Sequence, residues 1–303
     1  MNRGIYIVAN DRVQEQSIAL LNSIRLYDLE TPVVLIPYDE NYTSVLAALQ
    51  PHNVKLFPDL SLIESLSNQL YEIFGEQFFD KPNKLRKQAC WFGEFDEFLY
   101  IDTDIVVFEK IIDNLNYLAD YDFICADYQH KTGICNVFSP QVLTAGIFTE
   151  TELQDIFNSG FWAAKKHLIS ESALRTYSAE CAAHPEYFDF SGKVSDQPIL
   201  NYMVLKQIPR RLNLTRRPEQ APGNWAGSSH FATKGDRLID PTVNQPLQFL
   251  HWAGIPIKPG CPYWETWKHY RYLGEPEPEF PLQPVASQPN LWQKAIRKLK
   301  AIG

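Results

Sequence analysis

Residues 98–108 read Phe-Leu-Tyr-Ile-Asp-Thr-Asp-Ile-Val-Val-Phe, an apolar run broken by two carboxylates, Asp102 and Asp104, with Thr103 between them. Read as one buried strand, the run puts both carboxylates on the same face, because side chains alternate along a strand. Two like charges in apolar surroundings must be protonated, paired or bound to a cation. Oxygen ligands suit the hard ions Mg²⁺ and Mn²⁺, which bind through one or two carboxylates and fill their shell with phosphate oxygens and water. A strand that stopped at Ile101 and turned would instead leave both aspartates in solvent.

Other chemistry-bearing groups are spread along the chain. Lys84-Leu85-Arg86 lies upstream of the aspartates. Phe157-Asn158-Ser159-Gly160 and Ser195-Asp196-Gln197-Pro198-Ile199-Leu200-Asn201 follow them, and His251-Trp252-Ala253-Gly254 with Lys258 comes later. Taken singly, Asn158-Ser159-Gly160 would make a good turn and Asp196 a good helix N-cap. His251, between Leu250 and Trp252, would by itself be a core histidine.

The elements that must position these groups begin with an apolar strand at 4–9, ended by Asn10-Asp11. Gln14–Tyr27 has apolar residues at helical spacing, 32–37 forms a second strand and 44–49 starts another helix. Strand, helix, strand at this spacing predicts a mainly parallel sheet flanked by helices, with ligands at the carboxyl ends of the strands. A helix over 83–95 would carry Leu85, Ala89 and Phe92 on one face and Lys84, Gln88 and Trp91 on another. An apolar stretch at 123–126 precedes Asp127. Further on, the pattern predicts a short helix at 151–157, a strand at 160–164 and a helix over Glu171–Ala183 capped by Ser170. A helix at 196–205, irregular loops at 209–235 and a strand at 248–252 carrying His251 complete the series. Residues 1–272 read as one α/β domain, 273–289 as a linker rich in Pro and Glu, and 290–303 as a basic amphipathic tail helix.

Composition narrows the options. At 45% apolar and 21% charged residues, the 303-residue chain matches an ordinary globular protein. A net charge of −8 argues against nucleic-acid binding through general electrostatics. The five cysteines (90, 125, 135, 181 and 261) are odd in number and contain no Cys-x-x-Cys, against a disulfide framework or zinc site and in favour of a reducing compartment. With no signal-peptide pattern and no spanning apolar stretch, the expectation is a cytoplasmic protein, its tail able to rest on the inner face of a membrane.

In their order, these motifs resemble the glycogenin-like glycosyltransferases of family 8, which include galactinol synthases and bacterial lipopolysaccharide sugar transferases and share the GT-A fold. The resemblance implies a Rossmann-like mixed sheet and a metal-dependent, retaining transfer of a hexose, glucose or galactose, from a UDP-sugar to an acceptor hydroxyl with α-linkage. It implies Asp102, Asp104 and His251 as metal ligands; a nitrogen ligand favours Mn²⁺ over Mg²⁺. Lys258 matches the lysine at the leaving phosphate, one position further from the histidine than in glycogenins, and is followed by Pro259-Gly260 in place of Pro-Trp. Lys84 matches a donor-holding lysine. Ala9, Asn10 and Asp11 would lie near the uracil and ribose, and Thr103 and Gly254 beside the nucleotide sugar. Asp127, Asn158 and Ser159 would contact donor-sugar hydroxyls, and Asp196 and Gln197 the reacting anomeric carbon. The acceptor (a glycan, a lipid-linked sugar or a small molecule) would meet loops 128–150 and 209–235, with Asn213, Arg216, Arg217, Asn224 and Trp225 as candidate contacts. Two rivals stand beside this reading. A sugar nucleotidyltransferase would need a Gly-rich phosphate loop where the chain has Asn10-Asp11-Arg12-Val13. A non-catalytic sugar-nucleotide-binding scaffold would keep the fold without turnover.

Overall fold

The computed structural model describes residues 2–76, 78–127, 134, 137–190, 195–216, 221–234 and 237–279. The tail at 290–303, most of the linker before it, Arg217 and residues 128–133 lie outside this set.

Among the described residues, the strands are β1 (Arg3–Ala9), β2 (Val33–Pro37), β3 (Val54–Leu56), β4 (Glu97–Ile101), β5 (Ile105–Val107), β6 (Phe123–Cys125), β7 (Phe161–Lys165), β8 (Arg211–Asn213), β9 (Ala232–Lys234), β10 (Arg237–Asp240), β11 (Gln245–Pro246) and β12 (Phe249–His251). The helices are α1 (Gln14–Tyr27), α2 (Thr43–Ala48), α3 (Leu60–Phe74), α4 (Gln141–Thr144), α5 (Glu150–Leu153), α6 (Glu171–Ala183), α7 (Gln197–Gln207) and α8 (Trp264–Arg271), with 3₁₀ turns between them. Seven strands form one sheet in the order β3-β2-β1-β4-β7-β6-β8. All its pairings are parallel except those of β7, which runs against both β4 and β6.

Alternation along β1 shows why the sheet is covered on both faces: Tyr6 joins one apolar cluster, with Phe98, Trp162 and side chains of α3 and α7, while Ile5 and Ile7 join another with α1 and the 111–119 turn. A third cluster gathers Val106, Phe108, Leu250, Trp252, Trp267 and Tyr270. Helix α6 starts where its cap predicts, Ser170 Oγ accepting from the Ala173 N–H.

Three expectations need correction. The 98–108 run is two strands, not one: β4 stays in the large sheet, whereas β5 leaves it to pair antiparallel with β12, and Asp102-Thr103-Asp104 is the turn between them. The helix expected at 83–95 is a 3₁₀ helix over Pro82–Phe92. The irregular 209–235 stretch contains β8, a strand of the main sheet, and β9. Among the described residues, no helix is long and apolar enough to cross a membrane.

Asp122 fastens one side of the sheet, accepting from Lys165 Nζ at 2.8 Å and from Arg210 Nε and Nη2 at 2.8 Å each. The Arg210 hydrogen bond, with Lys165, holds its carboxyl at about 2. A depressed carboxyl stabilises the fold above its ordinary pKa and loses that contribution as pH falls through the folded value. Asp122→Asn is therefore expected to lower stability at pH 7 by about 1 kcal/mol, a modest figure because Arg210 is half exposed. The difference from wild type should shrink between about pH 4 and pH 2, as urea unfolding across that range would show.

Candidate active site

The 102–104 turn is held from both sides. Asp102 N–H donates to Gly160 O at 2.8 Å, and Trp252 N–H donates to Asp104 O at 2.9 Å. His251 ends β12 opposite Ile105, while its N–H donates to Asn224 O and its carbonyl accepts from Ala226 N–H, both at 2.8 Å. These backbone bonds bring its buried ring to Asp104, with Nε2 3.1 Å from Asp104 Oδ1 and 4.0 Å from Asp102 Oδ2. One donor atom from each of Asp102, Asp104 and His251 lies within 4.8 Å of the others. Two carboxylate oxygens and one imidazole nitrogen suit a divalent cation of the Mn²⁺ kind. The carboxylate side chains, 31% and 34% exposed, leave an open side for further oxygen ligands.

Charge is distributed unevenly over the pair. Burial pushes the Asp102 carboxyl up, and the Asp104 charge adds to this against the pull of Lys87. Burial acts on Asp104 in the same sense, but the charge and hydrogen bond of His251 outweigh it and hold that carboxyl low.

Gly160 makes room for this geometry. A Cβ there would lie 2.4 Å from His251 Cε1 and 2.6 Å from Asp102 Oδ2, well inside contact distance. Gly160→Ala is expected to displace one of the two and weaken any divalent-cation binding by this group at least tenfold, as direct metal titration would show.

A cleft of about 580 Å³ opens beside the turn, large enough for a small-molecule ligand. Lys87, absent from the motif reading, enters it from the 3₁₀ helix. Its buried Nζ lies 2.8 Å from Asp196 Oδ2, 3.7 Å from Asp102 Oδ1 and 4.7 Å from the Tyr100 ring centre. Burial opposes its charge, but Asp102 and Asp196 prevail and raise its pKa. Residues i and i+3 eclipse in a 3₁₀ helix, so Lys84 lies on the same face and also lines the cleft, paired with Asp80 at 2.6 Å. Asp196 occupies the N-cap position of α7 yet makes no capping bond; its carboxylate faces Lys87 and accepts from Ser159 Oγ at 3.4 Å. Gln197 Oε1 accepts from Asn158 Nδ2 at 2.8 Å and Ser159 N–H at 3.2 Å. Asn158, Ser159, Asp196, Gln197 and Gly254 thus line one cleft with the two aspartates and His251.

The remaining sequence candidates are not among the cleft's lining residues. Ala9 is buried at the end of β1. Asn10 donates to Asp39 Oδ2 at 2.7 Å, and Asp11 Oδ1 accepts from the Val45 N–H at 2.8 Å. Thr103 is buried within the turn. Asp127 is fully buried with Arg216 Nη2 2.5 Å from Oδ2. Lys258 is exposed and is not among the cleft's lining residues. Two acceptor candidates are corrected. Asn213 and Asn224 are buried framework, Asn213 Oδ1 accepting from Asp127 N–H at 3.2 Å and Asn224 Nδ2 donating to Asp127 O at 2.6 Å.

No family model matches the chain. The uncharacterized protein YfnF of Bacillus subtilis (strain 168) is 24% identical over 252 residues, covering 80% of this chain and 78% of its own. Among solved structures, the bifunctional glycosyltransferase WbbM in its apo form matches with a TM-score of 0.55 at 16% identity over 97% of this chain. The match covers 51% of WbbM, so the chain spans about half that protein's length. The galactosyltransferase LgtC, solved with donor and acceptor sugar analogs, matches with a TM-score of 0.58 at 13% identity, over 88% of this chain and 95% of its own. With the mixed seven-stranded sheet, these likenesses establish that the chain has the GT-A fold of glycosyltransferases.

Proposed function

We propose that this protein is a metal-dependent, retaining glycosyltransferase of the family 8 kind, moving glucose or galactose from a UDP-sugar to an acceptor hydroxyl with α-linkage. The observation that carries the reading is the convergence of Asp102, Asp104 and His251 beside a cleft that also holds the Lys87–Asp196 pair. A cation of the Mn²⁺ type, when bound there, supplies Lewis-acid stabilisation to the departing diphosphate. The protein groups divide the remaining tasks. Asn158, Ser159 and Gln197 offer short polar side chains suited to sugar hydroxyls. Asp196, beside Gln197 at the start of α7, is assigned to stabilise the anomeric carbon as the bond to phosphate breaks. Lys87, 2.8 Å away, holds that carboxylate in its orientation. Ala9, Asn10 and Asp11 are assigned to the nucleoside end, Lys84 and Lys258 to the phosphates, and half-buried Trp225 to the acceptor. The protein would act on the cytoplasmic side, its basic tail touching the membrane surface.

The test is a thermal-shift screen with UDP, GDP and ADP, each with Mn²⁺, Mg²⁺ or EDTA, followed by assay of UDP release from UDP-glucose and UDP-galactose. Stabilisation by UDP that requires Mn²⁺, together with UDP release, supports the proposal. Stabilisation without release favours the non-catalytic scaffold. No shift with any nucleotide and metal rejects the donor class.

A further inference from the structure

The two oxygens of Asp102 keep different company. Oδ1 accepts the hydroxyl of Tyr100 at 2.5 Å and lies 3.7 Å from Lys87 Nζ. Oδ2 is turned the other way, 4.0 Å from His251 Nε2 and close against Gly160. One oxygen is therefore committed to the protein interior, and the other faces the side on which Asp104 and His251 converge. Tyr100 has little freedom to do anything else. It is 1% exposed at the end of β4, its ring is stacked on Trp162 with centroids 5.5 Å apart, and the Lys87 ammonium sits over the ring.

We propose that Tyr100 is a positioning residue for the cation site, a role resting on the metal-site reading above. Its hydroxyl holds the Asp102 carboxylate so that Oδ2 is presented to a divalent cation, and it keeps Oδ1, 3.7 Å from Lys87 Nζ, from closing to hydrogen-bonding distance of that ammonium. Lys87, 2.8 Å from Asp196, is thereby reserved for that carboxylate. Loss of the hydroxyl frees the Asp102 carboxylate to rotate, and the nearby ammonium then competes with the cation for it. Supporting groups that orient a ligand in this way typically change metal affinity 10–100-fold when removed.

The experiment uses the full chain and Mn²⁺ alone, with free Mn²⁺ read by electron paramagnetic resonance, in wild type, Tyr100→Phe, Asp102→Asn and the double variant. Phenylalanine keeps the ring stack on Trp162, so the metal-free thermal midpoint is expected to stay near that of wild type. Tyr100→Phe is expected to weaken Mn²⁺ binding about 10–100-fold, and in the Asp102→Asn background to weaken it no further. Equal Mn²⁺ affinity in Tyr100→Phe and wild type overturns the role of Tyr100 while leaving the metal site standing. A similar loss in both backgrounds, or a collapse of the metal-free midpoint, shows a purely structural tyrosine and also overturns it. If wild type itself binds no Mn²⁺, the metal-site reading fails and the inference falls with it.

Discussion

Asp102→Asn is expected to cut metal-dependent turnover by about 10³-fold or more while leaving the protein folded, a loss of about 4 kcal/mol of transition-state stabilisation. Asparagine has the same shape, so its carbonyl oxygen can still accept from the Tyr100 hydroxyl, which donates to Asp102 Oδ1 at 2.5 Å. What disappears is one negative charge next to Asp104. Its removal eases the like-charge repulsion that, with burial, pushes the Asp102 carboxyl up. Lys87 keeps its closer partner, Asp196, at 2.8 Å. Stability without cation should thus hold or rise slightly while cation-dependent chemistry collapses. Initial rates with a UDP-hexose over a Mn²⁺ series, beside metal-free thermal unfolding, separate the two. Wild-type turnover in this variant would remove Asp102 from the reacting centre.

Lys87→Met should lose stability as well as turnover while its cation site is kept. Its Nζ lies between two carboxylates, and the Asp196 side chain is only 12% exposed. Removing one partner of a buried pair strands the other charge, which costs about 3–5 kcal/mol. Turnover is expected to fall by about 10²-fold or more, because Asp196 then loses both its neutralising partner and its fixed direction. Mn²⁺ affinity, in contrast, should hold or increase, since a positive charge 3.7 Å from Asp102 Oδ1 has gone. Thermal unfolding, kcat and Mn²⁺ titration on one preparation distinguish the three effects. Full turnover would assign Lys87 to stability alone.

Much of the frame could be read from local pattern. Helix α1 occurs within the bounds its periodicity implies and α6 within those its Ser170 cap implies, because amphipathic spacing and an N-cap serine are local signals. Helix α3 carries an equally clear signal, Asp59 followed by apolar residues at 63, 66, 70 and 74, which a motif-led reading passes over. The division of residues 98–108 into β4 and β5 has no local signature. Ile105, Val106 and Val107 suit any buried strand, and their partner β12 lies far along the chain. The strand stops at Ile101, yet the turn after it is two-thirds buried and faces His251. Lys87 was hidden by its neighbours. In Lys84-Leu85-Arg86-Lys87 the charges look like one solvated face, and only the 3₁₀ period places Lys87 in the cleft while Arg86 turns to Glu40 at 2.8 Å. Asn213 and Asn224 misled for a related reason, since buried asparagines that satisfy backbone groups have the same composition signature as a binding loop.

The 102–104 turn joins a strand of the seven-stranded sheet to a strand of the two-stranded one, and His251 comes from the far side of that junction, 147 residues after Asp104. A cation chelated at this seam would act on the chain as a removable cross-link, closing a long loop much as a covalent bridge does and favouring the folded state by its binding energy. Metal supply would then set two properties together, the readiness of the cleft and the mechanical unity of the chain around it.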